Sequence, residues 1–245
     1  MPQNSQKASL RVGTINVAGI ANNGHDLKLL MKQLSLDIVA VQETWLKDGK
    51  QEFSQGYFWV GRNRASQTNS RGEGGVGIFY RKDLCGKVQI CEESQHAGLM
   101  WIKVTLHEGN HLFLGCFYSP GEGTDAKTME EIYDELQADI LERSSQGRVV
   151  LMGDFNARVG DAHPHVARGE SHKSHNGICL CNLLKTTTMY AINNQSQTTV
   201  QATHRARVDN QFLTTSWWTT LFGTWELHPM MSVSQPLDCG VLKIF

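Results

Sequence analysis

No stretch rich in proline, or in glycine with serine, interrupts the 245 residues. Nothing marks a linker, so residues 9–245 are expected to form one domain behind a short disordered lead, 1–8. Sandwich folds often run this long as a single unit. No apolar run approaches the roughly 18 residues of a membrane-spanning helix. The polar start, Met1 to Ser9, lacks the apolar core of a secretion signal. These absences lead to the expectation of a soluble, intracellular protein with no membrane partner. No Cys-x-x-Cys pair occurs among the six cysteines, and Cys179-x-Cys181 has no second pair, which excludes the common zinc spacings. Reduced, buried thiols are expected instead. Charge of one sign is not in excess either: the formal net charge is −1. Any binding to nucleic acid would therefore need a local basic face.

What is present is enough apolar residue for a full core and a clear alternation of patterns. Leu10–Val17 reads as a buried strand closed by polar Asn16. Leu27, Leu30, Met31 and Leu34 fall on one helical face, which predicts a helix over Asp26–Leu34. Leu36–Val41 is an apolar strand running into Gln42-Glu43-Thr44. Tyr57–Arg64 and Gly74–Tyr80 read as strands around an exposed loop, Ala65–Glu73. Trp101–Leu106 and Leu112–Phe117 read as a hairpin. Met129–Leu141 is the clearest helix, and Val149–Met152 a short strand leading into Gly153-Asp154-Phe155-Asn156. Asn176–Leu184 reads as a helix, Met189–Asn194 and Val241–Phe245 as strands, and Thr198–Phe245 as the least regular part, with an aromatic cluster of Trp217, Trp218, Phe222 and Trp225. Two strand-helix-strand sets and several hairpins favour an α/β fold of two packed sheets covered by helices.

The polar residues that close apolar strands carry the chemistry. A carboxylate at a sheet rim can hold a divalent cation through oxygen. A second can orient and deprotonate a water, and neighbouring donors can face charge building on a phosphate. Glu43, Asn16 and Tyr118 each close a strand. A glycine, an acid and an amide within Gly153-Asp154-Phe155-Asn156 form a denser signal than a turn requires. Histidines 163, 165, 172 and 175 lack zinc spacing and read as a solvated loop.

Taken together, Thr14-Ile15-Asn16-Val17, Val41-Gln42-Glu43-Thr44, Gly74-Gly75-Val76-Gly77-Ile78, Phe117-Tyr118-Ser119-Pro120 and Gly153-Asp154-Phe155-Asn156 resemble the ordered motifs of the exonuclease–endonuclease–phosphatase superfamily. Within it, they look most like the apurinic-like endonuclease domain of non-LTR (LINE-type) retrotransposons. The resemblance runs from about Leu10 to Phe245. It implies a DNase I-like four-layer α/β sandwich, two mixed β-sheets flanked by helices, with the site at their shared rim. It implies an Mg²⁺-dependent (or Mn²⁺-dependent) endonuclease that nicks double-stranded DNA, monomeric as a domain and nuclear. Glu43 and Asp238 would hold the metal, and Asn16 would position metal or phosphate. Tyr118 would donate to the scissile phosphate or leaving group. Asp154 would orient the attacking water, Asn156 would hold a phosphate oxygen, and Thr203 would contact DNA. Asp209 would orient a catalytic histidine.

That histidine is where the sequence departs from the family pattern. Leu237-Asp238-Cys239 stands in place of Ser-Asp-His. An imidazole near neutral pH can act as a base or a phosphate-binding cation, and a thiol of pKa near ~8.5 serves neither role well. A catalytically impaired fold kept for binding nucleic acid or protein is therefore the alternative. A same-fold abasic-site nuclease or small-phosphate phosphodiesterase is another. Arg62, Arg71 and Arg158 are the leading candidates to grip a phosphate backbone, beside Arg64, Arg168, Arg205 and Arg207.

Overall fold

The computed structural model describes residues 10–47, 52, 54–63, 74–106, 109–159, 173–191, 198–201, 220–225 and 241–242. The first half opens with strand β1 (Leu10–Asn16), helix α1 (Ile20–Gln33) and strand β2 (Ile38–Gln42). β3 (Tyr57–Arg62) and β4 (Val76–Arg81) follow, then a 3-10 turn at Lys82–Lys87 and β5 (Val88–Ile90). The second half repeats the opening layout. β6 (Leu99–Thr105) leads to β7 (His111–Tyr118), helix α2 (Ala126–Ser144) and β8 (Arg148–Asp154). Helix α3 (His175–Thr187) and strands β9 (Tyr190–Ala191), β10 (Thr198–Gln201), β11 (Thr220–Trp225) and β12 (Val241–Leu242) complete the described elements.

Two six-stranded sheets result, ordered β10-β11-β1-β2-β4-β3 and β5-β6-β7-β8-β12-β9. Both are mixed. β1 and β2 pair in parallel across the α1 crossover, and β7 and β8 pair in parallel across α2. Such crossovers lay the helix on one face of the sheet. Three apolar clusters set the layering. Met31, Leu27 and Ile20 of α1 cover one outer face with Val39, Val41 and Phe79. Val12, Ile38, Ala40 and Ile78 of the first sheet meet Ile102, Leu114, Cys116 and Met152 of the second between the sheets. Met129, Leu136, Leu180 and Leu184 of α2 and α3 cover the other outer face with Trp101, Phe117 and Leu151. The strands alternate in and out with period two, so each sheet contributes to two of these clusters. The architecture is the expected four-layer sandwich.

Helix α1 starts at Ile20, six positions before the expected Asp26. Ala21-Asn22-Asn23-Gly24 is a poor helix former, and tertiary contacts override it. Gly19 N–H donates to the Glu43 carbonyl at 2.8 Å, Ile20 N–H donates to that of Thr44 at 3.0 Å, and Ile20 is buried. α2 begins at its own cap: Thr128 N–H donates to Asp125 Oδ1 at 3.0 Å. Bonds to that exposed carboxyl, chiefly from Thr128, hold it below its ordinary pKa. The region read as least regular contains β11, which runs antiparallel to β1 from Leu10↔Trp225 to Ile15↔Thr220. Phe222 and Trp225 of the expected aromatic cluster lie in this strand. The expected helix and strand boundaries elsewhere move by a few residues. Residues 65–73 lie outside the described residues, as do histidines 163, 165 and 172, whereas His175 opens α3. Of the cysteines among the described residues, Cys116 and Cys179 are buried as expected, Cys91 and Cys181 are half-buried, and Cys85 is exposed.

Among the described residues, no helix is long and apolar enough to cross a membrane.

Candidate active site

The two parallel strand pairs end side by side. In the first sheet Asn16 lies opposite Gln42, and in the second Tyr118 lies opposite Asp154. Because the sheets pack face to face, the four strand ends meet at one rim. Asn16 Nδ2 donates to Glu43 Oε1 at 2.8 Å and to Asp154 Oδ2 at 2.8 Å. Its own Oδ1 accepts from Ala18 N–H at 3.0 Å, which fixes the amide's orientation. Tyr118 Oη donates to the same Glu43 Oε1 at 2.9 Å. Four residues from both halves of the chain are therefore joined through one amide and one phenol. All four are half-buried over an apolar floor.

That floor carries a smaller polar network between the sheets. Gln42 is buried, and its Nε2 donates to Thr14 Oγ1 at 3.0 Å and to Cys116 Sγ at 3.2 Å. Burial pushes the Cys116 thiol up to about 12, so it stays protonated. Alternation along the strand turns Gln42 inward.

The backbone at the rim is strained. Among the described residues six non-glycine residues have positive φ, and four of them, Ala18, Glu43, Trp45 and Asn156, stand beside the cluster. Such conformations cost about 1–3 kcal/mol each and persist only where the surroundings hold them. Here Gly19 N–H and Ile20 N–H grip the carbonyls of Glu43 and Thr44, and Trp45 N–H donates to Gly74 O at 2.9 Å.

The Gly153–Asn156 loop has a steric origin. Gly153 has φ +153, and a Cβ there would lie 1.8 Å from the Phe117 carbonyl oxygen. Only glycine lets β8 approach β7 so closely at the register that sets Asp154 opposite Tyr118. Asp154 Oδ1 accepts from Asn156 N–H at 3.0 Å, and Ser119 N–H donates to Asp154 O at 2.9 Å. Asn156 Nδ2 donates to Ser119 O at 2.8 Å, and Asn176 Nδ2, at the start of α3, reaches Pro120 O and Asn156 O. The loops after β7 and β8 are thus laced together.

Tyr118 has its phenol pKa raised strongly, first by burial and then by the Glu43 charge. It is a donor, not an anion, at any physiological pH.

A sequence model of the endonuclease/exonuclease/phosphatase family matches residues 13–231. The chain belongs to this family. A curated relative, the probable RNA-directed DNA polymerase from transposon BS of Drosophila melanogaster, is 28% identical over 149 residues. That match spans 61% of this chain but 15% of the relative's length. Among solved structures, the AP endonuclease of Leishmania major superposes with a TM-score of 0.62 at 13% identity, covering 88% of this chain and 79% of that one. An AP endonuclease from Archaeoglobus fulgidus gives 0.56 at 18% identity, covering 87% and 86%. The endonuclease domain of TRAS1, a telomere-specific non-LTR retrotransposon, gives 0.54 at 14% identity, covering 89% and 85%. At these identities the likeness is one of fold.

For this family member the structure brings together Asn16, Glu43, Tyr118, Asp154 and Asn156. Asp209, Asp238, Thr203 and Arg71 lie outside the described residues. Two arginines are placed differently from each other. Arg62, expected to grip phosphate, turns inward instead: its Nη1 donates to the carbonyls of Ser94, His96 and Leu99 at 2.5, 3.0 and 3.2 Å. A guanidinium satisfies several carbonyls at once because its donors form a rigid fork, and this one staples the segment before β6 to β3. Arg158 is exposed, with Nε 3.3 Å from Glu122 Oε1.

A divalent cation fits the donors present. Glu43 Oε2 meets no donor among the described residues, since the Asn16 amide and the Tyr118 phenol both bond to Oε1, and a carboxylate oxygen is the hard ligand that Mg²⁺ takes. Among the described residues no group of three or more His, Cys, Asp or Glu could hold a metal. A single carboxylate with waters and substrate oxygens is, however, a usual Mg²⁺ arrangement.

Proposed function

We propose that this chain is an Mg²⁺-dependent endonuclease that nicks double-stranded DNA, of the kind that opens a target site for a retroelement. The observation that carries the reading is the Asn16 amide bridging Glu43 and Asp154 across the two sheets. Two acids that share one donor nitrogen would repel and part without it. The fold maintains them instead, as metal-assisted hydrolysis needs.

Glu43 would hold Mg²⁺ through its Oε2, with Asp238 as a second carboxylate. When bound, the ion would polarise a phosphate oxygen and offset the charge that builds there. Asp154, with one oxygen fixed by Asn16 and the other by the Asn156 N–H, is an oriented acceptor able to align an attacking water and take its proton. Tyr118 keeps its proton and can give a hydrogen bond to the phosphate or the leaving oxygen. Asn156, Thr203, Arg71 and Arg158 would hold the flanking backbone, Arg158 by exchanging Glu122 for phosphate. Residues 9–245 would act as one monomeric domain, and a chromosomal substrate would place it in the nucleus. The relative from transposon BS and the TRAS1 domain support the retroelement branch.

Nicking of supercoiled plasmid with Mg²⁺ tests this. Glu43→Ala and Asp154→Ala should each lower the rate at least about a hundredfold. Unchanged nicking in Asp154→Ala would refute the assignment. A strong preference for an abasic duplex over an intact one would instead favour the repair-nuclease reading. Leu237-Asp238-Cys239 favours a second reading, an inactive fold that binds nucleic acid. Its signature is a silent wild type that Cys239→His awakens.

A further inference from the structure

Both backbone polar groups of Tyr118 are engaged by one segment that precedes β6. Tyr118 N–H donates to the Gly98 carbonyl at 2.7 Å, and the Tyr118 carbonyl lies 3.2 Å from His96 Nε2. A carbonyl only accepts, so this ring nitrogen carries the proton. The same ring packs on Phe117, with centroids 5.8 Å apart. Space between the segment and β7 is closed: a Cβ on Gly98 would fall 2.3 Å from Tyr118 O and 2.6 Å from His96 Nε2.

The segment is clamped by three side chains from two elements. Arg62 binds the carbonyls of Ser94, His96 and Leu99 from the first sheet. Glu135 of α2 accepts the His96 N–H at 3.0 Å. Asp139, one turn further along α2, accepts from Ser94 Oγ and Trp101 Nε1, each at 2.8 Å, and from Arg143 Nη1. So many bonds on a short connecting segment exceed what is needed to join β5 to β6. Their common product is a fixed His96.

We infer that His96 is a positioning residue for Tyr118. Its ring N–H holds the Tyr118 carbonyl, which sets the tilt of the last β7 peptide and thereby the aim of the phenol at Glu43. Arg62 acts one step behind, by holding His96. This rests on the reading of Tyr118 as a donor to substrate. A catalytic group displaced by about 1 Å can cost a hundredfold in rate, so the lever is effective although His96 touches no substrate.

The test compares His96→Leu, which keeps bulk and loses the donor, with His96→Gln, which restores an N–H. Two readouts are taken on the full chain, with a melting curve for each variant. The first is plasmid nicking, for which His96→Leu should lower kcat about ten- to a hundredfold with KM within about twofold, and His96→Gln should recover most of it. The second is the ¹³Cζ NMR signal of Tyr118, assigned by its loss in Tyr118→Phe. It should move in His96→Leu and return in His96→Gln. An unmoved signal in a folded His96→Leu protein overturns the inference. So does a His96→Gln variant that behaves like His96→Leu. Should the wild type prove inactive while the signal still moves and returns, the positioning role stands and the nuclease reading falls.

Discussion

The amide that joins the two sheets can be weighed by a double-mutant cycle on Asn16→Ala and Asp154→Ala. Asn16 Nδ2 and Asp154 Oδ2 are 2.8 Å apart in space and 138 residues apart in sequence. A hydrogen bond to a charged group contributes about 1.5–3 kcal/mol net. Both side chains are half-buried, and water can replace part of the bond. The expected coupling is therefore about 1–2 kcal/mol. Asn16→Ala alone loses the bonds to Glu43, Asp154 and Ala18, and it leaves two carboxylates facing each other. Its cost should exceed that of Asp154→Ala, which removes one of the repelling charges, and should reach about 2–3 kcal/mol. Urea unfolding at pH 7 measures it, as a midpoint lowered by about 1 M with an unchanged slope. Effects that add to within about 0.3–0.5 kcal/mol would mean that the residues do not touch. The convergence of the strand ends would then be refuted.

Gly153→Ala should destabilise by about 3 kcal/mol, because its Cβ would collide with the Phe117 carbonyl at an unfavourable φ. In a chain of this size that is a fall of roughly 6–12 °C in Tm, and an unchanged melting curve would contradict the β7–β8 packing. Arg62→Met should lower stability and leave the salt dependence of DNA binding unchanged, whereas Arg158→Ala should lessen that dependence by about one phosphate contact. Equal slopes for the two variants would contradict their different placements. The raised Tyr118 pKa makes the neutral phenol the favoured folded form, so its contribution to stability is whole below about pH 10. It is lost as pH climbs through the higher folded value. Absorbance at 295 nm should show the Tyr118 proton retained at pH 10, and a Tyr118→Phe difference spectrum with a phenolate signal there would disprove the burial.

Much of this protein was legible as pattern. The apolar strands closing on Asn16, Glu43, Tyr118 and Asp154 announce themselves because a polar residue after a buried run breaks a period that packing enforces. Gly153 stands out for the same local reason, and the motif order led to the family and the layered fold. Elements held by distant partners were not legible. The first turns of α1 follow from the grip of Gly19 and Ile20 on Glu43 and Thr44, against the preference of their own residues. β11 is a strand because β1 lies beside it. Arg62 read as a contact to phosphate rather than as a staple, and His96 gave no local signal, since a histidine in a polar segment looks like surface. Their meaning comes from the carbonyls that surround them.

The sequence by itself determined which residues could do chemistry and which strand each would close, because alternation and propensity act over a few neighbouring residues. Only the tertiary structure decided that these ends meet and that one amide joins the acids of both halves. It also turned Arg62 inward to hold the segment that carries His96. Contacts between residues far apart in the chain depend on how the two sheets pack, and no local pattern encodes that geometry.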